Sequence, residues 1–198
     1  MIRLFGIKGF KASGKTTTAH YIKKQSIPII ILEDLYVDLL KPGTNVHKEL
    51  LKYLGEEIIK SNGDLDIKAM TLMSYKESWI KDLIEEVIGN ESENFINLLM
   101  ETFEKYKIDI AGIEIGLVND ERINKYIDSF LFVDCPYFVR MERMKNKYKF
   151  NDQIIDNILD IEKDIDEATE YYIDNDSTLS VLQQNTVSFV KEFIQDNR

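Results

Sequence analysis

Gly9-Phe10-Lys11-Ala12-Ser13-Gly14-Lys15-Thr16 fits the pattern G-x-x-x-x-G-K-S/T without a gap, and no other stretch constrains the fold as strongly. The string follows a short apolar run, Ile2 to Ile7, and precedes a helix-compatible stretch, Thr17 to Lys24. That order of strand, loop and helix is what the pattern needs. Glycines let the backbone curl until several N–H groups point inward at a phosphate, and the helix N-terminus adds partial positive charge. In such a loop Lys15 reaches the outer phosphates and Thr16 places its hydroxyl on Mg²⁺. The ligand implied is a nucleoside triphosphate.

The rest of the chain supplies a sheet for that loop to sit on. Ile2 to Ile7, Pro28 to Leu32, Ile108 to Ile115 and Phe130 to Val133 are too brief for helices and do not alternate. Such runs suit parallel strands buried on both faces. Tyr171 to Ile173 is a weaker fifth candidate. Between the runs lie helical stretches, of which the last is clearest: Leu179, Leu182, Thr186, Phe189, Val190 and Phe193 recur at helical spacing. Asp176 or Ser177 is placed to cap it. Strands alternating with helices predict a three-layer α/β domain, a five-stranded parallel sheet with helices on both faces.

One domain over residues 1–198 is expected, with its core in 1–40 and 107–198. The gap between the second and third strands is too long for one crossover helix and reads as an inserted helical subdomain, about 41–106. Residues 147–168 carry Ile154, Ile158, Ile161 and Ile165 on one stripe, which suits core packing and equally a mobile lid.

Charge narrows the partners. With 25 basic and 35 acidic residues the net charge is −10, so no basic face for wrapping nucleic acid is implied. Any bound phosphate must be met by a local cluster working against that field. Arg140, Arg143 and Lys147, at i, i+3 and i+7, would gather three positive charges on one helical face. The lone Cys135 excludes an internal disulfide and fits a reducing cytosol, where it packs as a small buried filler. No apolar run is long enough for a membrane span, and Met1-Ile2-Arg3 leads straight into the first strand without a signal segment. A cytoplasmic location is expected.

Other residues leave two readings each. Asp34 ends the second apolar run, at the sheet edge where α/β proteins bind ligands. It could take a proton from an attacking hydroxyl, or cap the next helix. Glu114 is either a second active-site carboxylate, acting on Mg²⁺ or a ribose hydroxyl, or a strand-end surface residue. Tyr75 and Trp79 suit helical core packing or the lining of a substrate pocket. His20 and His47 lack a Cys or His partner at ligand spacing, so they form no metal site.

A wider set of residues resembles a known family. Gly6-x-x-Gly9 through Gly14-Lys15-Thr16-Thr17 and Asp34 are similar to dephospho-coenzyme A kinase, as are Lys41-Pro42-Gly43-Thr44, Leu54-Gly55-Glu56-Glu57-Ile58, Gly63-Asp64-Leu65-Asp66 and Tyr172-Ile173-Asp174-Asn175. The resemblance runs in order over nearly the whole chain. It implies a P-loop fold of the nucleoside-monophosphate-kinase type, with a helical substrate flap and a lid. The implied reaction is ATP-dependent phosphorylation of the ribose 3′-hydroxyl of dephospho-coenzyme A; a monomer is expected.

On that resemblance the catalytic set is Lys15, Asp34 as base, and Arg143 opening the lid near adenine. Nucleotide contacts fall at Gly9, Lys11, Ala12, Ser13, Gly14, Lys15, Thr16, Thr17, Arg143, Lys147 and Asn175, with Lys147 standing where a second arginine is usual. The chain departs from the pattern elsewhere. Asp38, Ile67 and Asn157 or Ile158 occupy arginine positions, Gly89-Asn90 a His-Pro position, Ala111 to Ile115 a Pro-Leu-Leu-Phe-Glu stretch, and Phe10 and Ala12 glycine positions in the loop. Its arginines are Arg3, Arg122, Arg140, Arg143 and Arg198. Because Lys11-Ala12-Ser13-Gly14-Lys15-Thr16-Thr17-Thr18-Ala19 also resembles phage-type deoxynucleotide kinases, a deoxynucleoside monophosphate acceptor stays open. So does a nucleotide-binding protein with little or no turnover.

Overall fold

The short apolar runs become strands, the central ones the most fully covered. In a computed structural model, which describes residues 2–115, 121–147, 149, 151–163 and 169–196, they form one sheet. Its strands are β1 (Arg3–Lys8), β2 (Ile29–Ile31), β3 (Ile110–Glu114), β4 (Ser129–Asp134) and β5 (Tyr171–Asp174). All pairings are parallel, in the order β2-β3-β1-β4-β5. Leu4 to Ile7 of the central strand are buried without a break, as a strand covered on both faces must be.

One face of the sheet meets α1 (Lys15–Lys23) and α9 (Leu179–Gln195). Phe5, Ile7, Leu131, Val133 and Ile173 of the strands pack there against Ala19 and Ile22 of α1 and Leu182, Phe189, Val190 and Phe193 of α9. Phe5 stands edge-on to Phe189 and Phe193, with centroids 5.4 and 5.0 Å apart. Each such pair adds about 1 kcal/mol beyond the burial of its area. The expected stripe on α9 holds from Leu182 to Phe193, but Leu179 is 63% exposed because it is the helix's first residue. For the same reason the cap is Thr178, not Asp176 or Ser177: its hydroxyl accepts the Val181 N–H at 3.3 Å.

By contacts the chain divides into two units, Met1–Leu32 with Lys107–Arg198, and Glu33–Tyr106. The second unit is helical, built from most of α2 (Leu32–Leu39), then α3 (Asn45–Leu54), a 3₁₀ turn at Glu56–Ile58, α4 (Ile67–Lys76) and the long α5 (Ser78–Lys105). Its core joins Leu40, Val46, Leu50, Leu54, Ile58, Leu65, Met70, Ile80 and Val87. Thr44 caps α3 by accepting the His47 N–H at 3.1 Å. Trp79 is 51% exposed and donates to Glu77, so it is no core residue; the Tyr75 side chain lies outside the described residues.

Three further helices, α6 (Glu121–Asn124), α7 (Tyr137–Glu142) and α8 (Asp152–Glu162), complete the first unit, with a π-helical turn at Arg143–Lys147. Of the isoleucine stripe expected on α8, Ile158 is buried and Ile154 is not. Ile155 and Ile158 are buried with Leu159 against Ala12 and Met144, whereas Ile154 is 42% exposed. Spacing at i, i+3 and i+4 from Ile155 makes the face that closes over the loop. The Ile161 side chain and Ile165 lie outside the described residues. No described helix is long and apolar enough to cross a membrane.

Candidate active site

The segment between β1 and α1 carries most of the candidate residues, and its backbone explains its residue types. Gly9 has φ 145° and Gly14 φ 112°. A Cβ on Gly9 would fall 2.3 Å from the Val133 carbonyl oxygen, and one on Gly14 would fall 2.2 Å from Asn175 Nδ2. Only glycine fits either position. Ala12 adopts φ 64°, a left-handed conformation that costs an alanine about 1 kcal/mol. Ile155, Ile158 and Met144, packed on its methyl, hold it there.

The carbonyls of residues 9–13 all meet side-chain donors. Lys15 Nζ donates to Gly9 O at 2.9 Å and to Phe10 O at 3.0 Å. Arg140 Nη1 donates to Lys11 O at 3.4 Å. Arg143 Nη1 donates to Ala12 O at 2.9 Å and Ser13 O at 3.3 Å, and Asn175 Nδ2 donates to Ser13 O at 2.6 Å. Two of the loop's amides are also engaged, Lys11 N–H with Glu162 Oε1 and Ser13 N–H with Phe10 O.

Glu114 is the last residue of β3 and only 4% exposed, so it is not a surface residue. Its Oε1 accepts the Thr16 hydroxyl proton at 2.7 Å, which puts a carboxylate beside the first turn of α1. Thr17 follows as the third residue of that helix.

Several expected residues stand elsewhere. β2 ends at Ile31 and α2 starts at Leu32, so Asp34 sits exposed in the first turn of a helix, neither ending the strand nor capping α2. Leu32 and Leu35 explain the early start: both are buried, three residues apart, on one side of a helical turn. Glu33 and Asp34 in that first turn suit the positive end of the helix dipole. The three-cation face is not formed as expected either. Arg140 is 5% exposed and its Nη1 lies 2.9 and 2.8 Å from the two carboxylate oxygens of Glu162, so its charge is met internally. The π turn at residues 143–147 also ends the α-helical phase that i+7 spacing requires. The Lys147 side chain lies outside the described residues.

Cys135 is buried as expected and takes a contact that spacing did not reveal, with Arg143 Nη1 3.3 Å from its sulfur. Burial pushes its thiol pKa up, and the nearby charges of Arg143 and Arg140 only partly oppose this. His47 is nearly buried and bonded to Gly63 O at 3.0 Å, a structural role. No cluster of His, Cys, Asp or Glu able to hold a metal ion occurs among the described residues. Glu162 was not anticipated. Its only trace in the sequence is a carboxylate at the end of an isoleucine-rich stretch.

A model of the family described as dephospho-CoA kinase matches residues 3–180. The chain belongs to the dephospho-CoA kinase family. Among relatives, the dephospho-CoA kinase of Listeria monocytogenes serotype 4b is 21% identical, covering 99% of this chain and 100% of its own length. That of Fusobacterium nucleatum is 24% identical over 95% of this chain and 97% of its own. Among solved structures, the dephospho-CoA kinase from Campylobacter jejuni superposes with a TM-score of 0.72 at 16% identity, each chain covered in full, which shows a shared fold. Membership in this family of P-loop kinases implies the use of ATP and dephospho-CoA.

Proposed function

We propose that the protein transfers the γ-phosphoryl group of ATP to the ribose 3′-hydroxyl of dephospho-CoA. The observation that carries this reading is the phosphate loop itself, whose five successive carbonyls are turned to side-chain donors. Backbone N–H groups of the loop and of the first turn of α1 then take the phosphates. Lys15 Nζ, resting on two neutral carbonyls, exchanges them for phosphate oxygens, a stronger charge-assisted partner. Asp34 accepts the proton of the 3′-hydroxyl as its oxygen attacks the γ-phosphorus. The bond from that phosphorus to the β,γ-bridging oxygen breaks, and ADP leaves with the electron pair. Asp34 lies three residues past the end of β2, in the first turn of α2, and stands where the family resemblance places the base.

Thr16 and Glu114 present a hydroxyl and a carboxylate oxygen 2.7 Å apart, hard donors that fit Mg²⁺. The ion, once bound, neutralises charge on the phosphates. Arg143 borders the loop through Ala12 O and Ser13 O, and Asn175 holds Ser13 O; with Lys147 they make up the nucleotide side of the site. The helical insertion at 41–106 receives the acceptor, and 147–168 serves as the lid. In this reading the enzyme works as a cytoplasmic monomer.

The test is ADP release with ATP and Mg²⁺, with and without dephospho-CoA. Acceptor-dependent release supports the reading. Release stimulated by deoxynucleoside monophosphates but not by dephospho-CoA would replace the acceptor. ATP binding without stimulation by either would leave a nucleotide-binding protein.

A further inference from the structure

Lys11, in the middle of the phosphate loop, is gripped at both ends of its backbone by one buried ion pair. Its N–H donates to Glu162 Oε1 at 2.5 Å, and its carbonyl accepts from Arg140 Nη1 at 3.4 Å. The same Arg140 nitrogen lies 2.8 Å from Glu162 Oε2, and the two side chains are 6% and 4% exposed. The guanidinium also sits over the Phe10 ring, 4.5 Å from its centroid, while that ring stands edge-on to Phe132 of β4 at 5.4 Å. Arg140 comes from α7 and Glu162 ends α8. Two elements far along the chain therefore converge on one peptide of the loop.

A buried ion pair is a weak device for stability alone, because desolvation of both charges offsets most of their attraction. Its geometry here is better suited to placement. Two charge-assisted bonds to one residue hold both of that residue's backbone groups, and they turn the Lys11 N–H toward Glu162. Holding the loop in shape before the ligand arrives removes part of the ordering cost of binding.

We propose that Arg140 and Glu162 are positioning residues for nucleotide binding, a buried pair that clamps the Phe10–Lys11 segment and presets the phosphate loop. The proposal rests on the reading of this loop as the ATP site, and its test reads binding directly so that the two can fail separately. Calorimetric titration with ATP and Mg²⁺ would compare the parent with Glu162→Gln, Arg140→Met and the double variant Arg140→Met/Glu162→Met, each with its thermal midpoint. The single variants should bind ATP at least roughly tenfold more weakly, the scale of a misplaced positioning contact. The double variant, with no charge left buried alone, should recover most of the lost midpoint and still bind weakly. In ADP release the defect should appear in KM for ATP and far less in kcat.

Parent-like ATP affinity in either single variant would overturn the proposal, as would a double variant that regains both midpoint and affinity. If the double variant does not fold, Glu162→Gln held below its own midpoint decides between the same two outcomes. An ATP-binding parent inactive on dephospho-CoA would remove the acceptor assignment and leave the clamp standing. A parent that binds no ATP would overturn both.

Discussion

Residues 9–13 keep their backbone in place through single polar contacts from α1, α7, the π turn and the segment after β5, whereas the Glu33–Tyr106 unit rests on a continuous apolar cluster with local caps. The two regions answer different physical demands. A curled loop outside helix and sheet has no ladder for its backbone groups, so its carbonyls have to be satisfied by side-chain donors. A helical unit satisfies its own backbone and needs only apolar area to stay folded. Damage to the first should therefore show in binding and turnover, and damage to the second in stability.

The largest expected effect breaks the loop. Lys15→Ala removes the donor to Gly9 O and Phe10 O together with the cation for the outer phosphates. ADP release should fall by at least roughly 10³, the scale of a lost transition-state cation. The contrasting test is Leu50→Ala, which empties a fully buried position of the helical unit. Urea unfolding should show a loss of about 3 kcal/mol, while ATP affinity measured on the folded protein stays unchanged. A shift in ATP affinity there would erase the proposed division of labour.

Asp34→Asn sharpens it further, because this residue opens the helical unit yet is assigned chemistry. Transfer should drop by roughly a hundredfold with ATP affinity intact, the scale of general-base loss. Unchanged transfer would leave Asp34 as a first-turn carboxylate of α2 and nothing more. The smallest effect is expected at Ala12. Ala12→Gly relieves the left-handed strain but loosens the unfolded chain, so stability should move by less than about 1 kcal/mol in either direction. Gly14→Ala must instead displace Asn175, and thermal unfolding should show the larger loss.

The parts of this molecule legible in the sequence are those encoded by neighbours. The strand–loop–helix order around residues 9–16 is local, and so is the α9 face from Leu182 to Phe193, where periodicity maps directly onto burial. Departures arose where an element's first residue depends on what it packs against. On α8 Ile158 is buried as its spacing implies, but Ile155 and not Ile154 joins it against Ala12 and Met144, and α2 starts at Leu32, which is buried with Leu35 one turn on. Arg140 was visible as a charge but not as a buried one, since nothing near it in the chain announces Glu162.

By itself, then, the sequence determined the phosphate loop, the parallel α/β sheet behind it and, through motifs spread in order along the chain, the family. Each of these rests on residues close together or on a repeating period. Only the tertiary structure decided which side chains hold the loop in shape. Lys11 meets Glu162 across 151 positions, Ala12 meets Arg143 across 131, and Ser13 meets Asn175 across 162. Such contacts have no period and no spacing. They exist because the parallel sheet brings the carboxyl ends of β1 and β4 side by side, and β4's partner β5 to the same edge. The loops leaving that edge can then close around a single run of carbonyls.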